Sequence, residues 1–266
     1  LRPPQGRRPV NRYRRWLIPL LLLLLFAGFT LSYRYERRPR SLLHRILRNG
    51  EITVITRNNA HCYYLYRGQE MGFEYDLASA FADFLGVKLR IRLDSRWDEM
   101  IDDLKDGRGD FIAASMTITD SRQERARFSD GYMAVQQHIV VHRNDRSIRT
   151  AEDLSGKTVH VRKGTTYERR LRALRGAGIL VDVAIHDDVS TEELLRRVSV
   201  EEIRATIADS NVAFLNRRYY PSIRVAAPIS EKAYLGWAVA PDAVILRDRI
   251  DRFFRQMKAT GRLEEI

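Results

Sequence analysis

Residues 110–132 read D-F-I-A-A-S-M-T-I-T-D-S-R-Q-E-R-A-R-F-S-D-G-Y (Asp110–Tyr132). An apolar strand over Phe111 to Ala114 runs into the small hydroxyl residues Ser115, Thr117 and Thr119. Arg122 follows at the start of a helical turn. Hydroxyls and backbone N–H groups at the end of a strand, with one guanidinium fork beside them, match the geometry of a small carboxylate. On local chemistry alone the same stretch also reads as a surface strand-turn-helix with a solvated arginine.

Strands and helices alternate on both sides of this segment. Upstream, E-I-T-V-I-T (Glu51–Thr56) is a β-branched strand, Gly72 to Leu85 carries apolar residues at helical spacing, and Val87 to Leu93 is a second strand. A helix from Trp97 to Leu104 leads to Phe111. Downstream the pattern restarts with strands at Gln137–His142, Thr158–Arg162, Ile179–Ile185, Ile203–Ala208, Ile223–Val225 and Gly236–Ala240. Helices are expected at Tyr167–Leu174, Thr191–Val198, Asn211–Arg217 and Ala243–Lys258. This alternation predicts parallel sheets with crossover helices.

The net charge of +12 is unevenly spread. Residues 1–40 hold ten arginines and one acid, Glu36, which leaves +3 for residues 41–266. The basic character thus belongs to the N-terminal segment, which argues against a nucleic-acid interface on the folded part. Residues 16–33, W-L-I-P-L-L-L-L-L-L-F-A-G-F-T-L-S-Y, carry no charge, end in aromatic residues and follow five arginines between Arg7 and Arg15. They are expected to form an uncleaved signal anchor with residues 1–15 in the cytoplasm; a cleaved signal peptide is the competing reading. Residues 34–43 are the linker. The single cysteine, Cys62, permits no intrachain disulfide and reads as structural. The histidines show no metal-ligand spacing, and neither a metal nor a cofactor is expected. The adjacent acid pairs Asp102–Asp103 and Glu192–Glu193 cannot face each other across a cleft as glycosidase carboxylates do, so no catalytic residue is assigned.

G-F-E-Y-D-L-A (Gly72–Ala78), G-D-F-I-A-A-S-M-T-I-T-x-x-R (Gly109–Arg122), F-S-D-G-Y (Phe128–Tyr132), D-L-S-G-K-T-V (Asp153–Val159), G-T-T-Y-E (Gly164–Glu168) and I-A-D-S (Ile207–Ser210) occur in this order. Together they resemble the bacterial family 3 extracellular solute-binding proteins, over about residues 44–266. T-R-N-N-A-H-C-Y-Y-L-Y (Thr56–Tyr66) is most similar to the amino-terminal regulatory domain of the membrane-bound lytic murein transglycosylase F family. The resemblance implies a periplasmic-binding-protein-like type II α/β fold behind one N-terminal transmembrane helix. It also implies two lobes with a hinged cleft, lobe 1 over about 44–137 and 226–266 and lobe 2 over about 138–225, with hinges near Val135–His142 and Tyr220–Ala226. The sequence opens on Leu1 and stops where the last helix of such a domain ends. A fragment of a longer protein is therefore expected, with the lysozyme-like catalytic domain outside it.

Carried over residue by residue, Arg122 clamps the ligand carboxylate, Ser115 and Thr117 flank it, and Thr166 donates to it from a helix N-terminus. Asp209, in the other lobe, pairs the ligand ammonium. Thr166 and Asp209 also read as ordinary helix N-caps. Tyr64 is the expected aromatic ligand contact; alternating tyrosines also read as strand packing. Glu201 and Arg204 stand where the family has glycine and aspartate. The implied function is a membrane-anchored periplasmic sensor of an amino acid or a peptidoglycan-derived peptide, attached to a murein-cleaving domain. The alternative is the receptor of an amino-acid ABC permease. No nucleic acid is expected as a partner, and outer-membrane association is compatible with the resemblance.

Overall fold

The computed structural model describes residues 41–94 and 96–266. The expected basic tail, the anchor at 16–33 and nearly all of the linker lie outside these residues. Among the described residues no helix is long and apolar enough to cross a membrane.

Two five-stranded sheets form two α/β lobes. In the first, β1 (Glu51–Thr56) lies parallel between β4 (Lys88–Leu93) and β5 (Phe111–Ile112), with Val54 opposite both Ile91 and Phe111. The sheet continues through β14 (Ala238–Val239) to β6 (Arg127–Phe128). The crossover α2 (Phe73–Leu85) follows a short α1 (Leu42–Asn49) and stops at Gly86, whose φ of +70 suits glycine at a helix C-terminus. Its buried face, Leu77, Ala78, Phe81 and Ala82, packs against β1 and the closing helix. Phe81 meets Trp237 at 5.7 Å and Phe253 at 5.3 Å, so an aromatic cluster forms the centre of this lobe.

In the second lobe β9 (Thr158–Arg162), β10 (Asp182–His186) and β11 (Ala205–Asp209) run parallel in the order β10-β9-β11. β8 (Gln137–His142) and β12 (Ile223–Pro228) complete that sheet. One face, through Val159, Val161 and Ile207, is covered by α5 (Thr166–Gly176). The other, through Val140 and Ala208, is covered by α6 (Thr191–Ser199) and α7 (Ser210–Tyr219).

The parallel expectation holds for three adjacent strands of each five-stranded sheet and fails at the fourth, which pairs antiparallel on both sides. β14 runs antiparallel to β5, and β8 antiparallel to both β11 and β12. The chain passes between the lobes twice, and each passage delivers a strand from the opposite direction. The passages run side by side: β7 (Met133–Val135) pairs antiparallel with β13 (Ala233–Leu235). Gln137 N–H donates to Ser230 Oγ at 2.9 Å, and Ile229 N–H to the Gln137 carbonyl at 2.8 Å. The expected second hinge at 220–226 lies within and just before β12, and the crossing itself is at Ile229–Lys232.

Two local differences bear on the cleft. The helix expected from Trp97 starts at Met100, as α3 (Met100–Lys105). Asp94 Oδ1 accepts the Arg96 N–H at 2.9 Å, a local turn that competes with helix and leaves Trp97 in a turn. Residues 64–71 form a hairpin absent from the sequence reading, β2 (Tyr64–Tyr66) with β3 (Gln69–Met71). Its two-residue turn, Arg67-Gly68, has φ of 50 and 80, a pairing in which arginine is an unusual first member. Glu201, where the resembled family has glycine, adopts φ of 58. The backbone there keeps the glycine-like left-handed turn although the residue has changed.

Candidate functional site

The carboxyl ends of the parallel strands in both lobes open onto one cleft, where open α/β sheets place their ligands. Arg57 follows β1, Ser115 and Thr117 follow β5, Thr165 and Thr166 follow β9, and Asp209 ends β11. Residues lining the enclosed part include Ser115, Thr117, Thr166 and Asp209 with Arg57, Trp97, Tyr167 and Glu192. Its free volume is about 20 Å³, room for about one water. A small zwitterion needs several times that, so the lobes stand shut and must part to admit a ligand.

Side-chain contacts join the lobes across the cleft. Arg122 Nη2 donates to the Gly164 carbonyl at 3.4 Å, Arg169 Nη1 to Ser121 Oγ at 3.0 Å, and the His61 ring lies 3.1 Å from Asn211 Nδ2. Gly164 sits at φ +71, and a β-carbon there would lie 2.9 Å from the Asp98 β-carbon. Gly164→Ala is therefore expected to prop the cleft open, weakening ligand binding about tenfold and stability by about 1–2 kcal/mol. Calorimetric titration and thermal unfolding of the variant measure the two effects.

Arg122, at the end of the short α4 (Asp120–Gln123), is half-buried, and Nη1 donates to the Thr117 carbonyl at 2.9 Å. Its guanidinium carbon lies 5.2 Å from the Trp97 ring. Burial and the neighbouring Arg169 lower its pKa to about 10, so it stays cationic at neutral pH. Asp209 is 5 % exposed and makes no capping bond to α7, which removes the N-cap reading. Its own N–H donates to the Tyr167 hydroxyl at 3.1 Å. Burial raises the Asp209 pKa to about 6, against the opposing pull of Tyr167, Arg122 and Arg57. Thr165, not Thr166, caps α5, accepting from the Glu168 N–H, and Thr166 lies in the cleft wall one residue further on.

Arg122 and Asp209 thus face one cleft from opposite lobes. Each biases the other's ionisation, and no direct ion pair joins them among the described residues. A cation and an anion held apart by the protein suit the two ends of an amino acid.

Ser115 is held by a residue the sequence reading quoted but gave no role. Glu74, 1 % exposed on the first turn of α2, accepts from Ser115 N–H, from Ser115 Oγ at 3.1 Å, from the Tyr132 hydroxyl at 2.5 Å and from Trp237 Nε1 at 2.9 Å. Ser115 has φ of 54, a left-handed conformation that costs a non-glycine residue about 1–2 kcal/mol. The Glu74 carboxylate offsets that cost and turns the strand end towards the cleft.

Tyr64 is not brought to the site. It lies half-buried on the β2-β3 hairpin opposite Met71 and lines neither the enclosed cavity nor the chamber beside it. The aromatic floor is Trp97, which carries Arg57 at 4.6 Å as well as Arg122. Arg57, Trp97, Tyr167 and Glu192 were missed as site residues. Arg57 was findable, since it directly follows a strand whose carboxyl end faces the cleft. Cys62 is fully buried with its thiol pKa pushed up to about 11 by burial, so it is unreactive at neutral pH.

The comparisons agree with this geometry. The model for bacterial extracellular solute-binding proteins, family 3, matches residues 52–266. The chain is 46% identical over 260 residues to the membrane-bound lytic murein transglycosylase F of Desulfosudis oleivorans, covering 98% of this chain and 56% of that one. It is 34% identical over 266 residues to the same-named protein of Pseudomonas fluorescens, covering 99% and 53%. The chain therefore spans about half the length of these curated relatives. Among solved structures, an ancestral arginine-binding protein bound to arginine superposes with a TM-score of 0.73 at 29% identity, over 81% of this chain and 96% of that one. An ancestral amino acid-binding protein, a precursor of cyclohexadienyl dehydratase, gives 0.76 at 28%, over 85% and 97%.

Proposed function

Because the chain belongs to the bacterial extracellular solute-binding proteins, family 3, we propose that it shuts two α/β lobes on a small zwitterion in the periplasm. Arg122 takes the ligand carboxylate, with donors from Ser115, Thr117 and Thr166 around it, and Asp209 takes the ammonium. The ligand is an amino acid or a peptidoglycan-derived peptide. Residues 16–33 anchor the domain in the membrane, and the domain regulates a murein-cleaving domain of the kind implied by the relatives' name. Closure supplies the signal, because the shut form alone holds both charges against the ligand.

The observation that carries this reading is the separation of Arg122 and Asp209 across one cleft, with neither neutralising the other. Calorimetry with a panel of L-amino acids and soluble muropeptides tests it. Saturable binding by at least one compound is expected; absence of both heat and thermal shift at millimolar concentration contradicts it.

Affinity is also expected to depend on pH. The Asp209 carboxyl titrates near 6 in the fold and near 3.8 in an unfolded chain. The native state therefore holds an extra proton between those values, and stability falls as pH rises through them, by about 3 kcal/mol at most from this group. The ligand ammonium requires the ionised form, so affinity is expected to fall about tenfold per pH unit below 6. Titrations at pH 5 and 7 check this. Asp209→Asn is expected to stabilise the free protein at pH 7 while weakening binding at least about 100-fold.

The alternative, a receptor delivering amino acids to an ABC permease, draws on the similarity to arginine-binding structures. Ligand-dependent association with a permease favours it. Ligand-dependent stimulation of murein cleavage in the longer protein favours the sensor.

A further inference from the structure

The cleft holds a second pair of opposite charges that the Arg122–Asp209 grip does not use. Glu192 lies in the first turn of α6, behind Ser190, whose Oγ caps the helix by accepting from the Glu193 N–H at 3.1 Å. Both Glu192 carboxylate oxygens are shut off from water and accept no hydrogen bond. Its neighbour Glu193, by contrast, is held by Arg196 at 2.8 Å and Arg197 at 3.0 Å. An ionised carboxylate withdrawn from water without a donor costs several kcal/mol.

Arg57 faces it from the other lobe. Among the described residues its Nη2 donates to the Ala114 carbonyl at 3.3 Å and the Cys62 sulfur at 3.7 Å, its guanidinium lies over the Trp97 ring, and its Nε is buried with no acceptor. The two side chains interact electrostatically, yet no ion pair within 4 Å joins them. They also line two neighbouring spaces at once. One is the enclosed cavity lined by Ser115, Thr117, Thr166 and Asp209, and the other is a chamber of about 270 Å³ bounded also by Asp94, Arg162 and Asp188. The cleft therefore continues past the amino-acid grip, through a wall made of one unsatisfied acid and one under-satisfied base.

Resting on the zwitterion reading above, we propose that Arg57 and Glu192 form a second recognition point that takes a ligand whose far end carries both a carboxylate and an ammonium. The class is a diamino dicarboxylic acid, free or within a short peptide. The far ammonium supplies the donor that Glu192 lacks, and the far carboxylate supplies the acceptor that Arg57 lacks. An aliphatic side chain leaves both groups unsatisfied. A cationic side chain satisfies Glu192 but sets its charge against Arg57, and an acidic one satisfies Arg57 but is repelled by Glu192. Only a doubly charged end satisfies both.

Calorimetry on the full chain tests this with four probes: 2,6-diaminopimelic acid, lysine, 2-aminopimelic acid and alanine. Diaminopimelic acid is expected to bind at least about 30-fold tighter than lysine, which lacks the far carboxylate, or 2-aminopimelic acid, which lacks the far ammonium. Glu192→Gln is expected to weaken diaminopimelic acid about 30-fold and to narrow its lead over 2-aminopimelic acid to a few-fold. Thermal unfolding of the variant, expected to be no lower than wild type because a buried charge is removed, separates this effect from misfolding. Alanine binding as tightly as diaminopimelic acid, or a Glu192→Gln protein that keeps the wild-type order, overturns the second recognition point alone. Silence from every amino acid and muropeptide overturns the zwitterion reading and this inference with it.

Discussion

Arg122→Ala is expected to weaken ligand binding at least about 100-fold while changing the stability of the free protein by about 1 kcal/mol or less. The guanidinium is half-buried, held towards the cleft by the Thr117 carbonyl and the Trp97 ring; its departure uncovers part of that ring but also removes a desolvated cation, and the two effects largely offset. Truncating one partner of a desolvated charge pair costs about 2–5 kcal/mol, which is about 30- to several-thousand-fold in affinity. The loss should fall in the upper part of that range because two grips fail together. Arg122 is one of the charges that hold the Asp209 pKa down, so removing it raises that pKa and lowers the ionised fraction at pH 7. The ammonium end is weakened by a change made at the carboxylate end. Arg122→Ala combined with Asp209→Asn should consequently cost less than the sum of the two alone. Arg122→Lys should recover little, since a point ammonium does not reproduce the planar fork. Calorimetric titration of the four proteins checks the set; strict additivity contradicts the electrostatic coupling.

Glu74→Ala is expected to be the most destabilising single change in the site. It removes one acceptor group and leaves four donors, two of them on Ser115, in a space where Ser115, Tyr132 and Trp237 are all under 9 % exposed. Each buried donor left without an acceptor costs about 1–3 kcal/mol, and partial relaxation brings the sum to about 4 kcal/mol. That corresponds to roughly 2 M in the urea midpoint. Ser115, freed from the carboxylate, should also leave its left-handed conformation, so binding should fall even where the variant remains folded. Glu70→Ala is the control. Glu70 accepts from Tyr63 and Tyr75 but is itself exposed, and the change should cost less than about 1 kcal/mol. Equal effects at the two positions would show that Glu74 is not the anchor of the strand end.

Much of this arrangement was legible in the residues. Alternating β-branched runs marked β1, β8, β9 and β11, and the segment from Asp110 to Arg122 gave both the strand end and the arginine fork. What was missed depends on distant neighbours. The antiparallel fourth strands arise from where the chain re-enters each sheet, which no local window contains. Trp97 read as a helical position because its apolar spacing was correct; a single hydrogen bond at Asp94 takes it out of the helix. Glu74 stood within the quoted G-F-E-Y-D-L-A with no role, because its four donors come from residues 41 to 163 positions away. Glu192 was grouped with Glu193 as an adjacent acid pair, while the fold gives the two opposite surroundings. Tyr64 failed for the reverse reason: alternating tyrosines fit both a pocket wall and a hairpin, and the Arg67-Gly68 turn resolved them as a hairpin.

The grip on both ends of a zwitterion is tested most directly by taking the best-binding amino acid and comparing it with its decarboxylated amine and its deaminated acid, by calorimetry at pH 7. Each analogue is expected to bind at least about 100-fold more weakly than the parent, because one of Arg122 and Asp209 is left facing nothing. An amine or an acid that binds within threefold of the parent would contradict the account.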